Sequence, residues 1–223
     1  MSAPVLPSSA GPATHYELFA GLSAAAVVYL LTGATALTLH GVPRLTPDVD
    51  LAVDPDPTNL EHLELLLAAW GYREAAPAAT TDPDAVVRRF RHPQAALGEI
   101  DLVLPTSENF SREQAGSIVV TLVDVGIPLV GATDLRALKL KSGSVADLGD
   151  ATGLGLLASI QAGEDGSAED TRREQVRKFS RWSVAARLDW LLAAARLAKG
   201  LSPEAKPMTR GLVRRHGWYR DGR

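Results

Sequence analysis

Apolar and polar residues follow two different spacings along the first 130 residues. Apolar residues every three to four positions predict helices, and short alternating or β-branched runs predict strands. The predicted helices are His15–Ala26, the stretch ATALTLHG closed by Gly41, and the stretch TNLEHLELLLAAWGY with Thr58 or Asn59 as its cap and Gly71 as its end. The predicted strands are Val27–Leu31, DVDLAV, AVVRRFRH, GEIDLVLP and a pair within SIVVTLVDVGIPLVG.

From Thr133 onward the pattern is helical. The predicted helices are TDLRALKLKSG with Thr133 or Asp134 as cap, SVADLGDATGLGLLASIQAG, and one long amphipathic helix over Thr171–Lys199 that follows a polar linker, Glu164–Asp170. Strands mixed with helices, followed by helices alone, predict an α/β (α+β) fold with a mixed β-sheet flanked by helices and a helical C-terminal region. We divide the chain into a flexible tail at 1–14, a main domain at 15–163, and a helical region with a basic tail at 164–223.

Composition narrows the classes of function. The chain has 223 residues, 46% of them hydrophobic, and a net charge of −3, so the whole protein is not a polycationic nucleic-acid binder. It has no cysteine, which excludes disulfides, thiolate metal sites and cysteine nucleophiles. The most apolar run, Leu18–Leu39, is interrupted by glycine, serine and threonine, and no basic segment precedes it. We therefore expect a cytoplasmic protein with no membrane partner.

Two aspartates stand out in the strand DVDLAV. Side chains alternate along a strand, so Asp48 and Asp50 project from the same face about 6–7 Å apart, while Val49 lies on the opposite face. Adjacent carboxylates repel each other, and Mg²⁺ is a common counter-ion for such hard oxygen ligands. Asp101, in the strand EIDLVLP, is a third carboxylate in a similar setting, and three carboxylates at one place can hold two metal ions about 3.5–4 Å apart. The alternative is that these aspartates cap turns or pair with arginines.

The turn before the second helix is a candidate phosphate site. A strand that passes through glycine into a helix directs free backbone N–H groups and the positive end of the helix dipole at an anion. Gly33 lets a phosphate approach the chain, and Thr35 can cap the helix or bond a phosphate oxygen. The turn alone is weak evidence, because many strand–helix junctions contain glycine.

Three segments together resemble a known family. LTGATALTLHGVPRLTPDVDLAV, EIDLVLP and LVGATDLRALKLKSGSVADLGDA look like the minimal nucleotidyltransferases of the DNA polymerase beta superfamily, and most of all like the group that contains type IV toxin–antitoxin toxins. The resemblance covers about residues 27 to 160. It implies that 15–163 is a nucleotidyltransferase-like domain, that the metal ligands and catalytic residues are Asp48, Asp50 and Asp101, and that the nucleotide-binding residues are Gly33, Ala34, Thr35 and Lys139. Arg44 and Thr46 match the approach to the aspartate pair.

The resemblance implies an activity. A Mg²⁺- or Mn²⁺-dependent nucleotidyltransferase would transfer a nucleoside monophosphate from an NTP to an acceptor hydroxyl and release pyrophosphate. The acceptor would be tRNA or another RNA, with a cognate antitoxin as partner if the protein is a toxin, or else a protein or an antibiotic. The rival hypothesis is a non-catalytic nucleotide-binding or regulatory relative. It is favoured by Ala34, where relatives have glycine or serine, and by Ala146, where a lysine often precedes Asp147.

Other polar residues have two interpretations each. Arg88, Arg89 and Arg91 form either a solvated strand face or a phosphate or RNA contact. His40 is better explained as a packed or capping residue than as a base. Trp182 and Trp190 are predicted core anchors in the last helix, and the basic C-terminal tail is either a nucleic-acid contact or a docked terminus.

Overall fold

The computed structural model describes residues 10–76, 86–164 and 171–200 of the chain. Several sequence predictions lie outside this part of the chain: residues 1–9 of the N-terminal tail, residues 165–170 of the linker, and the basic C-terminal tail.

Seven strands of the described chain form one mixed sheet. They are β1 (Tyr29–Thr32), β2 (Asp48–Val53), β3 (Arg73–Glu74), β4 (Val86–Arg91), β5 (Glu99–Leu104), β6 (Ile118–Leu122) and β7 (Val125–Leu129). Their order is β3-β4-β5-β2-β1-β7-β6. The pairs β2–β5 and β1–β7 are parallel, and the other neighbours are antiparallel. The site strands β2 and β5 are therefore interior strands that lie side by side.

Helices flank the sheet, so the predicted α/β class is confirmed. The helices are α1 (His15–Ala24), α2 (Gly33–His40), α3 (Pro57–Ala69), α4 (Ser107–Ala115), α5 (Ala132–Ser142), α6 (Val145–Gln161), α7 (Thr171–Ser180) and α8 (Val184–Gly200). No helix in the described ranges combines the length and apolar character needed to cross a bilayer.

Helix α2 is a largely buried helix next to the site strands. It packs on β1, β2, α5 and α8, and its six residues from Ala34 to Leu39 are all buried. Gly41 ends the helix in the left-handed conformation, with φ of 108°. A ring nitrogen of His40 lies 2.8 Å from the Val130 carbonyl oxygen, and burial lowers the pKa of this histidine. His40 is thus a packed residue, and α2 is held firmly against the sheet.

Two predicted helix caps are wrong. Helix α3 is capped by Asp56, whose side chain accepts hydrogen bonds from the backbone N–H groups of Thr58 and Asn59. The Asn59 side chain instead accepts from the Val28 N–H and donates to the Val28 carbonyl, which ties α3 to the chain before β1. Helix α5 has Gly131 at its cap position and no side-chain cap. A capping residue is defined by where the backbone turns, and these turns begin two or three residues earlier than the sequence pattern suggests.

The prediction of one long C-terminal helix is also wrong, because the structure has two helices in its place. Helix α7 ends at Ser180, and the Ser183 hydroxyl accepts a hydrogen bond from the Ala186 N–H at the start of α8. Phe179 packs against both tryptophans across this break, with ring centroids 5.2 Å from Trp182 and 5.1 Å from Trp190. The break lets both helices place aromatic residues on one cluster, which a straight helix could not do.

Helix α4 and strand β3 are absent from the sequence predictions. Helix α4 has one large apolar residue, Phe110, which is buried. Its cap is Thr106, whose hydroxyl accepts a hydrogen bond from the Asn109 N–H. A nine-residue polar segment with one apolar anchor gives too little periodicity to be recognised.

Candidate active site

Four carboxylates lie in two rows on one face of the sheet. Because β2 and β5 are parallel, Asp48 is the register partner of Glu99 and Asp50 is the register partner of Asp101. Residues opposite each other in neighbouring strands project from the same face, and strands lie about 4.8 Å apart. The register therefore brings Asp101 beside the Asp48–Asp50 pair, as the sequence predicts, and adds Glu99.

Glu99 is a site residue that the sequence reasoning missed. Asp48, Glu99 and Asp101 each offer a carboxylate oxygen, and these three atoms lie within 4.8 Å of one another. Asp50 is not part of this set of three. The signal for Glu99 was present in the sequence, because Glu99 and Asp101 have the same two-residue spacing as Asp48 and Asp50.

Arginines from β4 neutralise the β5 side of the site. In the antiparallel pairing of β4 with β5, Arg89 is opposite Asp101 and Arg91 is opposite Glu99. Arg89 binds both oxygens of Asp101, with Nε–Oδ1 of 2.8 Å and Nη2–Oδ2 of 2.7 Å. Arg89 Nε also lies 3.1 Å from Glu99, and Arg91 Nε lies 2.6 Å from Glu99. The alternative in which the aspartates pair with arginines therefore holds for Asp101.

Arg88 belongs to the opposite face of the same strand. Its guanidinium pairs with Glu74 at 2.8 Å and with Glu64 at 2.5 Å, and it lies over the Phe90 ring, 5.3 Å from the centroid. The three arginines thus divide between two faces, and Arg89 and Arg91 contact the carboxylates of the site.

Asp50 occupies the space in front of the α2 N-terminus. A Cβ atom added to Gly33 would overlap the Asp50 carboxylate, and Gly33 has a φ of 64°, where L-residues are strained. The Ala34 N–H donates a hydrogen bond to Asp50. Burial, followed by the negative charges of Asp48 and Asp101, raises the pKa of Asp50 from 3.8 to about 7. Gly33 therefore makes room for a carboxylate, and the first free N–H of the helix already has an anionic partner.

Asp48 is bound by neutral groups. Burial is the main cause of its raised pKa, and the charges of Asp101 and Glu99 add to it. The Thr46 hydroxyl donates a hydrogen bond to Oδ1 of Asp48. The Thr35 hydroxyl, which is fully buried, donates to the Asp48 backbone carbonyl at 3.3 Å, so it faces β2. The cap position of α2 is Thr32 rather than Thr35.

Lys139 lies beside the site in a separate ionic network. Its Nζ is 2.6 Å from Asp147 and 3.2 Å from Asp150 on α6, and only 15% of its side chain is exposed. Arg44, in the loop before β2, pairs with the same Asp150 through Nε at 3.1 Å. The positive charge of Lys139 also lowers the pKa of Asp50, although burial and the acidic neighbours outweigh it. The buried Asp150, which sequence reasoning did not single out, thus links α5, α6 and the loop before β2.

The donor set of this site fits a hard divalent cation at Asp48 and Asp50. Both carboxylates are largely buried and close together, and no lysine, arginine or histidine among the described residues forms an ion pair with either one. A buried carboxylate without a cation is unfavourable when ionised, which is why the pKa of Asp50 is raised. Glu99 and Asp101 lie near enough to be ligands, but their charges are already compensated by arginines.

Comparison with known proteins gives structural similarity only at low sequence identity. No protein-family model and no curated protein matches the chain. Among solved structures, the chain is similar to an antigenic nucleotidyltransferase-like protein from Paracoccidioides brasiliensis, with 15% identity over 77% of this chain and 88% of that chain and a TM-score of 0.43. This similarity is too distant to assign an activity, so the function has to be argued from the site.

Proposed function

We propose that the protein is a nucleotidyltransferase that uses Mg²⁺ or Mn²⁺ to transfer a nucleoside monophosphate from an NTP to an acceptor hydroxyl. The observation that supports this most directly is the pair Asp48 and Asp50. These carboxylates share one strand face, have no paired cation among the described residues, and lie next to the N-terminus of α2. The resemblance of the sequence motifs to minimal nucleotidyltransferases supports the same activity.

The proposed reaction is a single displacement. The acceptor oxygen forms a bond to the α-phosphorus while the bond from that phosphorus to the oxygen bridging to the β-phosphorus breaks. The acceptor hydroxyl gives its proton to solvent water, and pyrophosphate leaves with the bridging oxygen and the electron pair of the broken bond. A divalent ion held by Asp48 and Asp50 would supply Lewis-acid stabilisation of the phosphoryl oxygens.

The residues of the chain have distinct tasks in this proposal. Asp48 and Asp50 provide the oxygen ligands, and Gly33 keeps the Asp50 carboxylate close to the Ala34 N–H. Lys139 is the proposed cation for the triphosphate. An ammonium has three N–H donors, and Asp147 and Asp150 engage two of them, so one remains for a phosphate oxygen.

The acceptor is proposed from the resemblance alone. RNA, and tRNA in particular, is the acceptor to test first, with an antitoxin protein as partner if the protein is a toxin. A protein or an antibiotic is the alternative acceptor. One observation favours a second function, a nucleotide-binding relative without turnover: both oxygens of Asp101 are held by Arg89, so this carboxylate is not available as a free ligand.

Labelled nucleotides test the proposal. The protein is incubated with each of the four α-³²P-labelled NTPs, Mg²⁺ or Mn²⁺, and total RNA or cell extract, and labelled products are separated by size and nuclease sensitivity. We expect one NTP to label a discrete acceptor, and Asp48→Asn to abolish labelling. Glu64→Gln is the matched control, because Glu64 pairs with Arg88 on the other face of the sheet and should leave labelling intact.

Two results would contradict the proposal. Nucleotide binding without transfer to any acceptor would favour the non-catalytic relative. Labelling that survives Asp48→Asn would place the chemistry elsewhere in the protein.

A further inference from the structure

We propose that this active site takes one divalent ion, and that the Arg89 guanidinium permanently holds the position at Asp101 where a second ion would otherwise bind. This inference rests on the proposed function, and it concerns how the positive charge at that same site is supplied. It assigns Asp101 the role of a positioning residue that anchors Arg89, instead of the role of a metal ligand.

The Arg89 guanidinium occupies the space between the carboxylates of β5. The guanidinium makes two parallel hydrogen bonds to the Asp101 carboxylate and lies 3.1 Å from Glu99. Arg89 therefore contacts two of the three carboxylates whose oxygens lie within 4.8 Å of one another, which is where an ion bound by that cluster would have to lie.

The charges of the site balance with one divalent ion. The four carboxylates of the two rows carry four negative charges when ionised, and Arg89 and Arg91 compensate two of them at Asp101 and Glu99. Asp48 and Asp50 remain, and a single divalent ion neutralises both. Before a nucleotide binds, a second divalent ion would give the cluster an excess of positive charge unless both arginines left it.

Arg89 is held in place by its pairing with Asp101. Asp101 is buried, with 8% of its side chain exposed, and Arg89 is 24% exposed. Bidentate arginine–carboxylate pairs are among the strongest in proteins, and removing one member of a buried pair leaves an uncompensated charge. Arg89 and Asp101 are also register partners on neighbouring strands, so the backbone fixes the geometry before the side chains meet.

Arg89 also has a donor left for the substrate. Nε and Nη2 contact the carboxylates, and no described residue accepts a hydrogen bond from Nη1. A fixed guanidinium with a free N–H suits an oxygen of the transferred phosphate, because planar donors match phosphate geometry. Arg89 would then provide the positive charge that a second ion provides in two-metal sites.

Counting bound ions tests the proposal. Equilibrium dialysis with Mn²⁺ and an NTP analogue that has a methylene between the α- and β-phosphorus gives the number of ions per protein. We expect one ion for the wild type and two for Arg89→Gln, which frees Asp101 and Glu99 from the guanidinium. Arg89→Lys keeps the charge and should stay at one ion. Arg88→Gln is the matched control, since it removes a charge from the opposite face of the same strand and should also stay at one.

The outcomes separate this inference from the proposed function. Two ions on the wild type would overturn the inference and leave the nucleotidyltransferase proposal standing. No ion on the wild type would overturn both. One ion on both the wild type and a folded Arg89→Gln protein would show that Arg89 does not exclude the second ion. If Arg89→Gln fails to fold, the wild-type count together with Arg89→Lys still decides the question.

Discussion

The substitution Asp50→Asn should stabilise the protein above neutral pH. The asparagine side chain has nearly the same shape, and its carbonyl oxygen can accept the hydrogen bond that the Ala34 N–H gives to Asp50. What the substitution removes is a buried negative charge next to Asp48 and Asp101. Gly33 is unaffected, because the space in front of it is still filled.

The pKa of Asp50 sets the size of the expected difference in unfolding free energy between the variant and the wild type. It rises from 3.8 in the unfolded chain to about 7 in the fold, so the folded state binds the proton more tightly. Stability that depends on the protonated form is present below pH 4 and is lost as the pH rises from 4 to 7. At roughly 1.4 kcal/mol for each tenfold change, the full difference is about 4 kcal/mol. Relaxation and partial hydration of the carboxylate reduce this value, so we expect about 2–3 kcal/mol at pH 8.

Urea and thermal unfolding of both proteins in EDTA, at several values between pH 4 and pH 8, measure the effect. The two proteins should be equally stable near pH 4 and should diverge as the pH rises from 4 to 7. At pH 8 the variant should melt about 5–10 °C higher than the wild type. Adding Mg²⁺ should raise the melting temperature of the wild type at pH 8 and have little effect on the variant, because the ion relieves a repulsion that the variant lacks.

Two results would refute this reasoning. If the variant is less stable than the wild type at every pH, Asp50 is a structural hydrogen-bonding residue. If the stability difference does not change with pH, the carboxylate is not held in an environment that disfavours its charge.

Two other positions can be tested by comparison with a matched residue. Gly33→Ala should destabilise the fold by about 2 kcal/mol or more, because the methyl group overlaps Asp50 in addition to the backbone strain. Gly143→Ala, with φ of 68° and open space around its Cβ position, measures the strain alone, and equal losses would argue against the overlap. Lys139→Met should lower transfer at least tenfold, about 1.4 kcal/mol, whereas Lys141→Met, on an exposed part of α5, should change transfer little. Similar small effects of both lysine substitutions on labelling would remove Lys139 from the site.

Much of the fold could be predicted because the local sequence pattern identifies most of the helices and strands. Strand β2 has β-branched and apolar residues between prolines, and helix α2 ends at a glycine in the left-handed conformation, so both were predicted within one or two residues. The errors occur where tertiary contacts decide. Asn59 is a residue type that often caps helices, but its side chain forms a hydrogen bond with the Val28 backbone instead. The predicted C-terminal helix is interrupted where Phe179 packs against two tryptophans.

The site could be predicted only in part, because a strand pattern shows which residues share a face but not what lies opposite them. The Asp48–Asp50 pair follows from the alternation along a single strand. Its proximity to Asp101 needed the additional assumption that the two strands are neighbours, which the sheet order confirms. The pairing with Arg89 depends on the register of a third strand, and a shift of one residue would have placed Arg88 over Asp101 instead.

The same register explains why Arg89 and Lys139 are held in different ways, although both are cations near the carboxylates. Arg89 is fixed by β-sheet pairing, so its position follows from the backbone hydrogen bonds of β4 and β5. Lys139 is fixed by side chains on α6, since Asp147 and Asp150 hold its ammonium. The Arg89 guanidinium is held by two parallel hydrogen bonds to a buried carboxylate on the neighbouring strand, whereas a lysine held by two carboxylates on one helix can exchange a partner for a phosphate. The structure thus favours a constant charge on the Asp101 side of the site and an adaptable charge on the α5 side.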